Sequence, residues 1–381
     1  IGVMKKKILP VVGLTLEKLV HGGQAMGTLE DGRKVFVWNG LPGETVQAQL
    51  TKSKKDFAEG FVVDVTKPSK DRITTLERQD IELSVAPWSI MGYDAELKAK
   101  ADIVKETFSR EGVELPEFEV QTAGSLSSYR NKVEFSFWGD DDGLHYAHYI
   151  RASHQKRKLD YPYNPLIPDQ MAIVAESVLA ELSKLSVRAG DLKSLILRCD
   201  ASSPANSKVV VALYVKTKEF PRLEHPDVAV VYSNPKSPAS IITEVLYVNG
   251  DITLQDTLLG KNIMYDVFSF FQLNLPIFEL ALQDIKSAIG EAPSVDFYSG
   301  VGGIGIAVGA STLVESDEAN VAMAKENTQG TATVVVHAPS EQALEYIDSD
   351  RVLIVDPPRA GLHQAVVDRI LEVRPPKVVY L

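Results

Sequence analysis

Asp296-Phe297-Tyr298-Ser299-Gly300-Val301-Gly302-Gly303-Ile304-Gly305 is a stretch whose residue types and spacing point to ligand chemistry. Its glycines permit a tight turn and let a ligand come close to the backbone. Glu315 closes the next apolar run, where a carboxylate can accept hydrogen bonds from both hydroxyls of a ribose. A glycine turn followed by an acidic strand end fits an adenosine cofactor and does not separate NAD from S-adenosylmethionine. Asp356-Pro357-Pro358-Arg359-Ala360-Gly361 is a second such place. Two prolines cannot continue a strand ladder, so the chain leaves the sheet there and presents Asp356.

These residues need a scaffold, and the apolar periodicity supplies one. From residue 277 the chain alternates helix and strand: strands are predicted at 294–298, 312–315, 331–337, 352–355 and 377–381. Helices are predicted at 277–289, 318–327, 341–347 and 364–372. Repeated βα units imply an α/β doubly wound, Rossmann-like parallel sheet that binds ligands at the carboxyl ends of its strands. Residues 8–66 read as five short strands broken by Asp31-Gly32, Asn39-Gly40 and Pro42-Gly43, the pattern of a small OB-like β-barrel. Between the two lies an α+β segment. It has a helix over 93–111 with Leu97, Ala101, Val104 and Phe108 on one face, strands over 129–150, and a helix over 168–185. Strands follow at 195–198, 209–215, 228–233 and 244–248. The expected division is 1–72 (barrel), 73–265 (middle domain) and 266–381 (cofactor domain), with helix 93–111 packing on the last of these.

Composition narrows the function classes. The 381 residues are 45% hydrophobic and 24% charged, an ordinary globular balance. A single cysteine, Cys199, excludes a disulfide framework or a cysteine-ligated zinc or iron–sulfur site within one chain. No run of 18 apolar residues and no signal-peptide pattern appear, so a cytoplasmic, membrane-free monomer is expected. The formal charge is −11 (40 Lys+Arg, 51 Asp+Glu), but it is uneven. Residues 1–72 carry 12 Lys/Arg against 8 Asp/Glu, whereas residues 271–381 carry 7 against 15. A basic cluster, Arg130, Lys132, Arg151, His154, Lys156, Arg157 and Lys158, reads either as a solvated face or as a polyanion track.

Taken in order, Tyr129-Arg130-Asn131-Lys132, Phe270-Phe271-Gln272-Leu273-Asn274 and Asp356-Pro357-Pro358-Arg359-Ala360-Gly361 resemble the signature stretches of the RNA uracil-5-methyltransferases. Residues 8–72, with Phe36-Val37 and Leu41-Pro42-Gly43-Glu44, resemble the TRAM domain many members carry in front. The resemblance implies methyl transfer from S-adenosylmethionine to C5 of a uridine in RNA. The barrel leans this towards 23S ribosomal RNA over transfer RNA. In the family a cysteine thiolate adds to C6, a carboxylate later removes the C5 proton, and the uridine is first unstacked. Carried over, Gln272 is the cofactor-contacting glutamine, Tyr298 the aromatic after the first strand, and Gly300 and Gly302 belong to the cofactor turn. Gly303 falls where many members have asparagine, so any contact there is through backbone. Glu315 is the ribose ligand, and Asp356 lies between cofactor and base. Phe271, Arg130, Lys132 and Arg359 are candidate substrate contacts. His337-Ala338-Pro339-Ser340 takes the adenine-edge position without its usual polar side chain.

Two departures bear on activity. The family's nucleophilic cysteine sits in a turn directly after the strand that matches Lys377-Val378-Val379-Tyr380-Leu381. That cysteine is therefore expected to follow Leu381, and no catalytic residue is expected in residues 1–381. The chain is expected to be cut short before it and to be inactive. Cys199, outside the motif, reads as a buried structural thiol. Residues 81–88, where many members hold an iron–sulfur cluster, contain no cysteine, so no cluster and no metal are expected. The alternatives are an NAD-dependent oxidoreductase, resting on Gly300, Gly302, Gly305 and Glu315 alone, and a non-catalytic RNA-binding protein.

Overall fold

Alternating apolar residues close the N-terminal strands into a barrel. In the computed structural model, which describes residues 9–73, 85–151, 155–201, 207–237 and 240–381, these strands are β1 (Val11–Leu19), β2 (Ala25–Thr28), β3 (Lys34–Trp38), β4 (Thr45–Ser53) and β5 (Phe57–Lys67). Their order around the barrel is β1-β2-β3-β5-β4, with β3 and β5 parallel. Leu14, Leu16, Val35, Val37, Val46, Ala48 and Ala58 fill the interior. A Cβ on Gly60 would lie 2.4 Å from the Gln49 carbonyl oxygen, so glycine is what lets β4 and β5 approach there. Glu44 is fully buried and holds the barrel's end. Its Oε1 accepts from Arg72 Nε (2.6 Å) and the Ser69 amide (3.1 Å); its Oε2 accepts from Arg72 Nη2 (2.8 Å) and the Leu41 amide (2.9 Å).

The barrel shares a compact unit (residues 1–121 and 148–157) with α1 (Tyr93–Arg110). The helix thus groups with the barrel, whereas the expected division placed it in the middle domain. Ala95, Ala99 and Ile103 pack on the barrel core. The face expected to be buried is not the one that meets the barrel, since Val104 and Phe108 are 40% and 45% exposed. Two alanines, with nothing beyond Cβ, let the helix lie close to the strands.

The second unit (residues 122–147 and 158–381) begins with a mixed sheet, of which residues 148–149 and 156–157 fall in the first unit. It comprises β6 (Lys132–Asp140), β7 (Gly143–Tyr149), β8 (Lys156–Leu159), β9 (Leu192–Cys199), β10 (Val209–Val215), β11 (Val228–Tyr232) and β12 (Glu244–Asn249), ordered β12-β11-β10-β9-β6-β7-β8. Helix α2 (Asp169–Lys184) buries Met171, Ala175, Val178 and Leu182, and the buried Tyr146 hydroxyl donates to the Ala175 carbonyl at 2.7 Å. A hairpin absent from the sequence expectations follows: β13 (Thr253–Leu258) and β14 (Lys261–Asp266), turned by Leu259 (φ 45°) and Gly260 (φ 77°).

Helix α3 (Leu275–Ile289) leads into the parallel sheet: β15 (Ser294–Phe297), β16 (Thr312–Glu315), β17 (Val334–His337), β18 (Val352–Val355) and β19 (Val378–Tyr380), ordered β17-β16-β15-β18-β19. Helices α4 (Gly303–Val308), α5 (Glu318–Asn327) and α6 (Gln364–Val373) make the crossovers. The helix expected at 341–347 is instead a pair of 3-10 turns, Ser340–Gln342 and Leu344–Tyr346, whose tighter i→i+3 bonds bring both Ala343 and Ile347 into the core. The strand expected at 377–381 is shorter than its apolar run, because Leu381 lies just past the end of β19. Its amide still donates to the Val355 carbonyl at 3.0 Å, and its side chain packs on the shared core. One apolar cluster runs from Val210, Ala212 and Tyr214 through Phe278 and Leu282 to Ile354, so the mixed and parallel sheets share a core. Among the described residues no helix is long and apolar enough to cross a membrane.

Candidate cofactor and substrate site

The site is built at the carboxyl end of β15. All four residues of that strand are buried, and the chain leaves it through Tyr298 (φ 63°), Gly300 (φ 55°) and Gly302 (φ 91°). The glycines have separate jobs. A Cβ on Gly305 would lie 2.2 Å from Leu313 Cδ2 and 2.9 Å from Asp296 Oδ2, so this glycine serves packing. The same holds for Gly302, where a Cβ would lie 2.6 Å from Ile306 Cδ1. A Cβ on Gly300 would meet only the Phe270 carbonyl oxygen, at 4.0 Å. The space beside Gly300 is open, and a ligand can come within contact of the backbone there. Gly303 opens α4, and a Cβ on it would touch Phe271 Cε2 at 3.6 Å.

Three carboxyl groups surround this turn. Glu315, ending β16, accepts from the Gly300 amide through Oε2 (2.8 Å) and from the Ser316 and Asp317 amides through Oε1 (both 2.8 Å). It ties the glycine turn to the neighbouring strand. Asp356, just past β18, accepts from Gln272 Nε2 at 3.3 Å through Oδ2. Burial pushes the Asp356 carboxyl up, and the Gln272 amide works against that. Asp296, fully buried in β15, accepts from the Gly305 amide at 2.8 Å through Oδ2, while its Oδ1 has no partner. Burial above all, with the charges of Asp356 and Glu315, pushes Asp296 up to about 8 against the pull of the Gly305 amide. Among the described residues neither Glu315 nor Asp356 makes an ion pair. A carboxylate without a counter-charge attracts a cation.

Tyr298 is fixed by a 2.9 Å contact between its hydroxyl and Ser340 Oγ, so the serine of His337-Ala338-Pro339-Ser340 anchors an aromatic at the site's edge. Phe271 is not a base contact. It is 3% exposed and its ring stacks on Tyr265 at 4.0 Å, which commits it to the core. Its neighbour Phe270 is 68% exposed and offers the ring that the signature stretch was expected to present one residue later. Arg130 is half-buried and pairs through its backbone with Asn274, so the first two signature stretches lie side by side. Lys132 is half-buried on β6, and burial, with Arg198 nearby, lowers its pKa. Arg359 is exposed in the loop after Pro358.

Cys199 is buried on β9, and burial, with Asp200 and Asp256, pushes its thiol up to about 12. A thiol so placed is not a nucleophile near neutral pH. The basic cluster does not stay together as one set of free charges. Lys158 pairs with Asp140 (3.0 Å) and Asp142 (3.3 Å), and Arg151 lies 4.7 Å over the Trp38 ring. His154 and the 81–84 part of the cluster-free stretch lie outside the described residues. On the barrel, Phe36 and Phe57 meet edge to face at 6.4 Å, with Lys52 4.9 Å above Phe57 and Lys54 and Lys55 exposed beside them.

The TRAM domain family matches residues 10–63, the barrel. Over nearly its whole length the chain is similar to proteins named "uncharacterized RNA methyltransferase". One from Thermotoga maritima is 25% identical, covering 96% of this chain and 88% of the relative. One from Lactobacillus johnsonii is 28% identical, covering 97% and 88%. Among solved structures, a Pyrococcus abyssi tRNA (uracil-54, C5)-methyltransferase in complex with S-adenosyl-L-homocysteine superposes with a TM-score of 0.76. It is 19% identical and covers 97% of this chain and 90% of its own, so the fold is shared from barrel to parallel sheet.

Proposed function

We propose that this chain is the RNA- and cofactor-binding body of an RNA (uracil-C5) methyltransferase that uses S-adenosylmethionine. The observation that carries the reading is the meeting of Gln272 and Asp356 at 3.3 Å beside an open, acidic glycine turn whose far side is closed by Glu315. The residues fit the donor. Gly300 leaves room for it, Glu315 can take the ribose hydroxyls in exchange for backbone amides, and two unpaired carboxylates suit a sulfonium charge. The glycine turn and Glu315 alone leave NAD open as the alternative, and the titration below separates the two.

When bound, S-adenosylmethionine supplies an electrophilic methyl group. The chain's own part is binding and orientation. Gln272 and Asp356 hold each other across the gap between the 267–273 loop and the end of β18, and together define where a planar base can lie. Phe270 presents an exposed ring next to that gap, and Arg359 a cation for the RNA backbone. Asp356, with its carboxyl raised by burial, can share or accept a proton from a ring nitrogen. The barrel of residues 1–72 grips RNA, and residues 266–381 hold the cofactor. The covalent route also needs a thiolate, and Cys199, the one cysteine of these 381 residues, cannot supply it. With Cys199 unable to act, residues 1–381 are expected to bind and not to turn over. Ribosomal RNA is the first substrate to try, on the resemblance of the barrel, and transfer RNA the second, since the Pyrococcus abyssi enzyme of like fold is a tRNA (uracil-54, C5)-methyltransferase.

Calorimetric titration of the chain with S-adenosylhomocysteine and with NADH tests the reading. Binding of the first, weakened about tenfold or more by Glu315→Ala, is the expected result. Binding of NADH without S-adenosylhomocysteine would overturn it, and tritiated methyl transfer to uridine in RNA would overturn the inactivity.

A further inference from the structure

The 267–273 loop has no regular structure, yet four of its carbonyls are held by just two residues. Arg198 stands on β9 of the mixed sheet and is 1% exposed. Its Nη1 donates to the Ser269 carbonyl at 2.7 Å and its Nη2 to the Phe271 carbonyl at 2.9 Å. Its guanidinium lies 5.2 Å over the Tyr265 ring, on which Phe271 itself stacks. Asn131, also 1% exposed, donates through Nδ2 to the Gln272 carbonyl (2.9 Å) and through its amide to the Leu273 carbonyl (3.2 Å). The Asn131 carbonyl in turn accepts from the Cys199 amide at 2.9 Å, which locks it to the strand that carries Arg198.

We infer that Arg198 and Asn131 are positioning residues for cofactor binding: they fix the backbone of 269–273 so that the Gln272 side chain meets Asp356. A guanidinium fork that takes alternate carbonyls holds the segment extended, because carbonyls alternate sides along an extended chain. The intervening Phe270 carbonyl is thereby turned the other way. Among the described residues no donor takes it, and it is the atom nearest the open space at Gly300. The same alternation sends the Phe270 ring outward and the Phe271 ring into the core. Lysine has one point charge and no fork, so it cannot hold both carbonyls in one geometry. The inference rests on the reading of Gln272 as a cofactor contact, and its test separates the two.

Affinity for S-adenosylhomocysteine is measured by calorimetry in Gln272→Ala, Asn131→Ala, Arg198→Lys and the double variants of each of the last two with Gln272→Ala. Thermal melting of every variant is recorded alongside. Each single substitution is expected to weaken binding about tenfold, and each double to bind no more weakly than its weaker single parent, because all act through one contact. A merely structural role would lower the melting temperature while leaving the affinity of the folded protein unchanged. Wild-type affinity in folded Asn131→Ala and Arg198→Lys, or losses that multiply in the doubles, overturns the inference and leaves the cofactor reading intact. Unchanged affinity in Gln272→Ala overturns the cofactor role of Gln272 and the inference with it. Should Arg198→Lys fail to fold, the Asn131→Ala cycle decides alone.

Discussion

Asp296 is a single buried carboxyl whose titration makes the fold under the glycine turn sensitive to pH. In the folded chain it is neutral up to about 8, whereas its ordinary value is 3.8. Between those two values the unfolded chain has lost this proton and the folded chain keeps it. The folded state therefore binds more protons, and this group makes stability fall as pH rises across that window, levelling above about 8. An asparagine in place of the aspartate has the same shape and cannot ionise. The melting temperatures of Asp296→Asn and the wild type should coincide near pH 4 and diverge with rising pH, the variant becoming the more stable. Parallel melting curves from pH 4 to pH 9 would show that Asp296 is not held neutral. Glu315 and Asp356, by contrast, were legible from the sequence because strand ends and a Pro-Pro break announce them. Phe270 and Phe271 were not. Adjacent residues of one type differ in role only through which way the backbone is turned, and that is set by Arg198, 73 residues before Phe271.

Among the elements, the barrel depends on one ion pair at its mouth. Burial alone would raise the Glu44 carboxyl, but the Arg72 guanidinium and the Leu41 and Ser69 amides outweigh it and hold the group below its ordinary value. A depressed carboxyl contributes stability that is present above its unfolded value and lost as pH falls through the folded one. Glu44→Gln should cost roughly 3 kcal/mol by leaving Arg72 without its counter-charge, while Glu44→Leu combined with Arg72→Met should recover most of that. Urea unfolding followed by the fluorescence of Trp38 reads both; a double variant as unstable as Glu44→Gln would contradict the account. Alternation and turn dipeptides made the barrel strands readable in advance. The hairpin β13–β14 escaped for a physical reason: Asp256 occupies a core position there, its Oδ2 taking the Tyr265 hydroxyl at 2.5 Å, so the apolar alternation is broken where a polar pair is buried. The buried face of α1 escaped for another. Two alanines and Ile103 carry it, and a hydrophobicity pattern gives the alanines less weight than the larger Val104 and Phe108.

At the scale of the whole molecule, charge divides the labour. The chain is acidic overall, and its last 111 residues, which surround the cofactor turn, are the most acidic part. The first 72 carry the surplus of Lys and Arg. On the proposed reading, an RNA that needs counter-charge would be drawn to the barrel and a cationic cofactor to the parallel sheet, with little competition between them. Within the barrel the cations are not equal. Lys52 is engaged by Glu59 at 2.7 Å and by the Phe57 ring, and Lys34 by Glu17 at 3.2 Å. Lys54 and Lys55 are exposed next to the Phe36–Phe57 aromatic pair, where stacked bases and phosphates can be met together. Reversing both charges (K54E/K55E) should weaken binding of a single-stranded uridine-containing RNA and make the slope of log K against log salt shallower by about 1.4, the share of two phosphate contacts on a single strand. S-adenosylhomocysteine affinity should not move, because the cofactor turn gains no new neighbour. Fluorescence anisotropy across a salt series, with calorimetry on the same preparations, measures both; a common loss of RNA and cofactor binding would mean that the two sites are not separate.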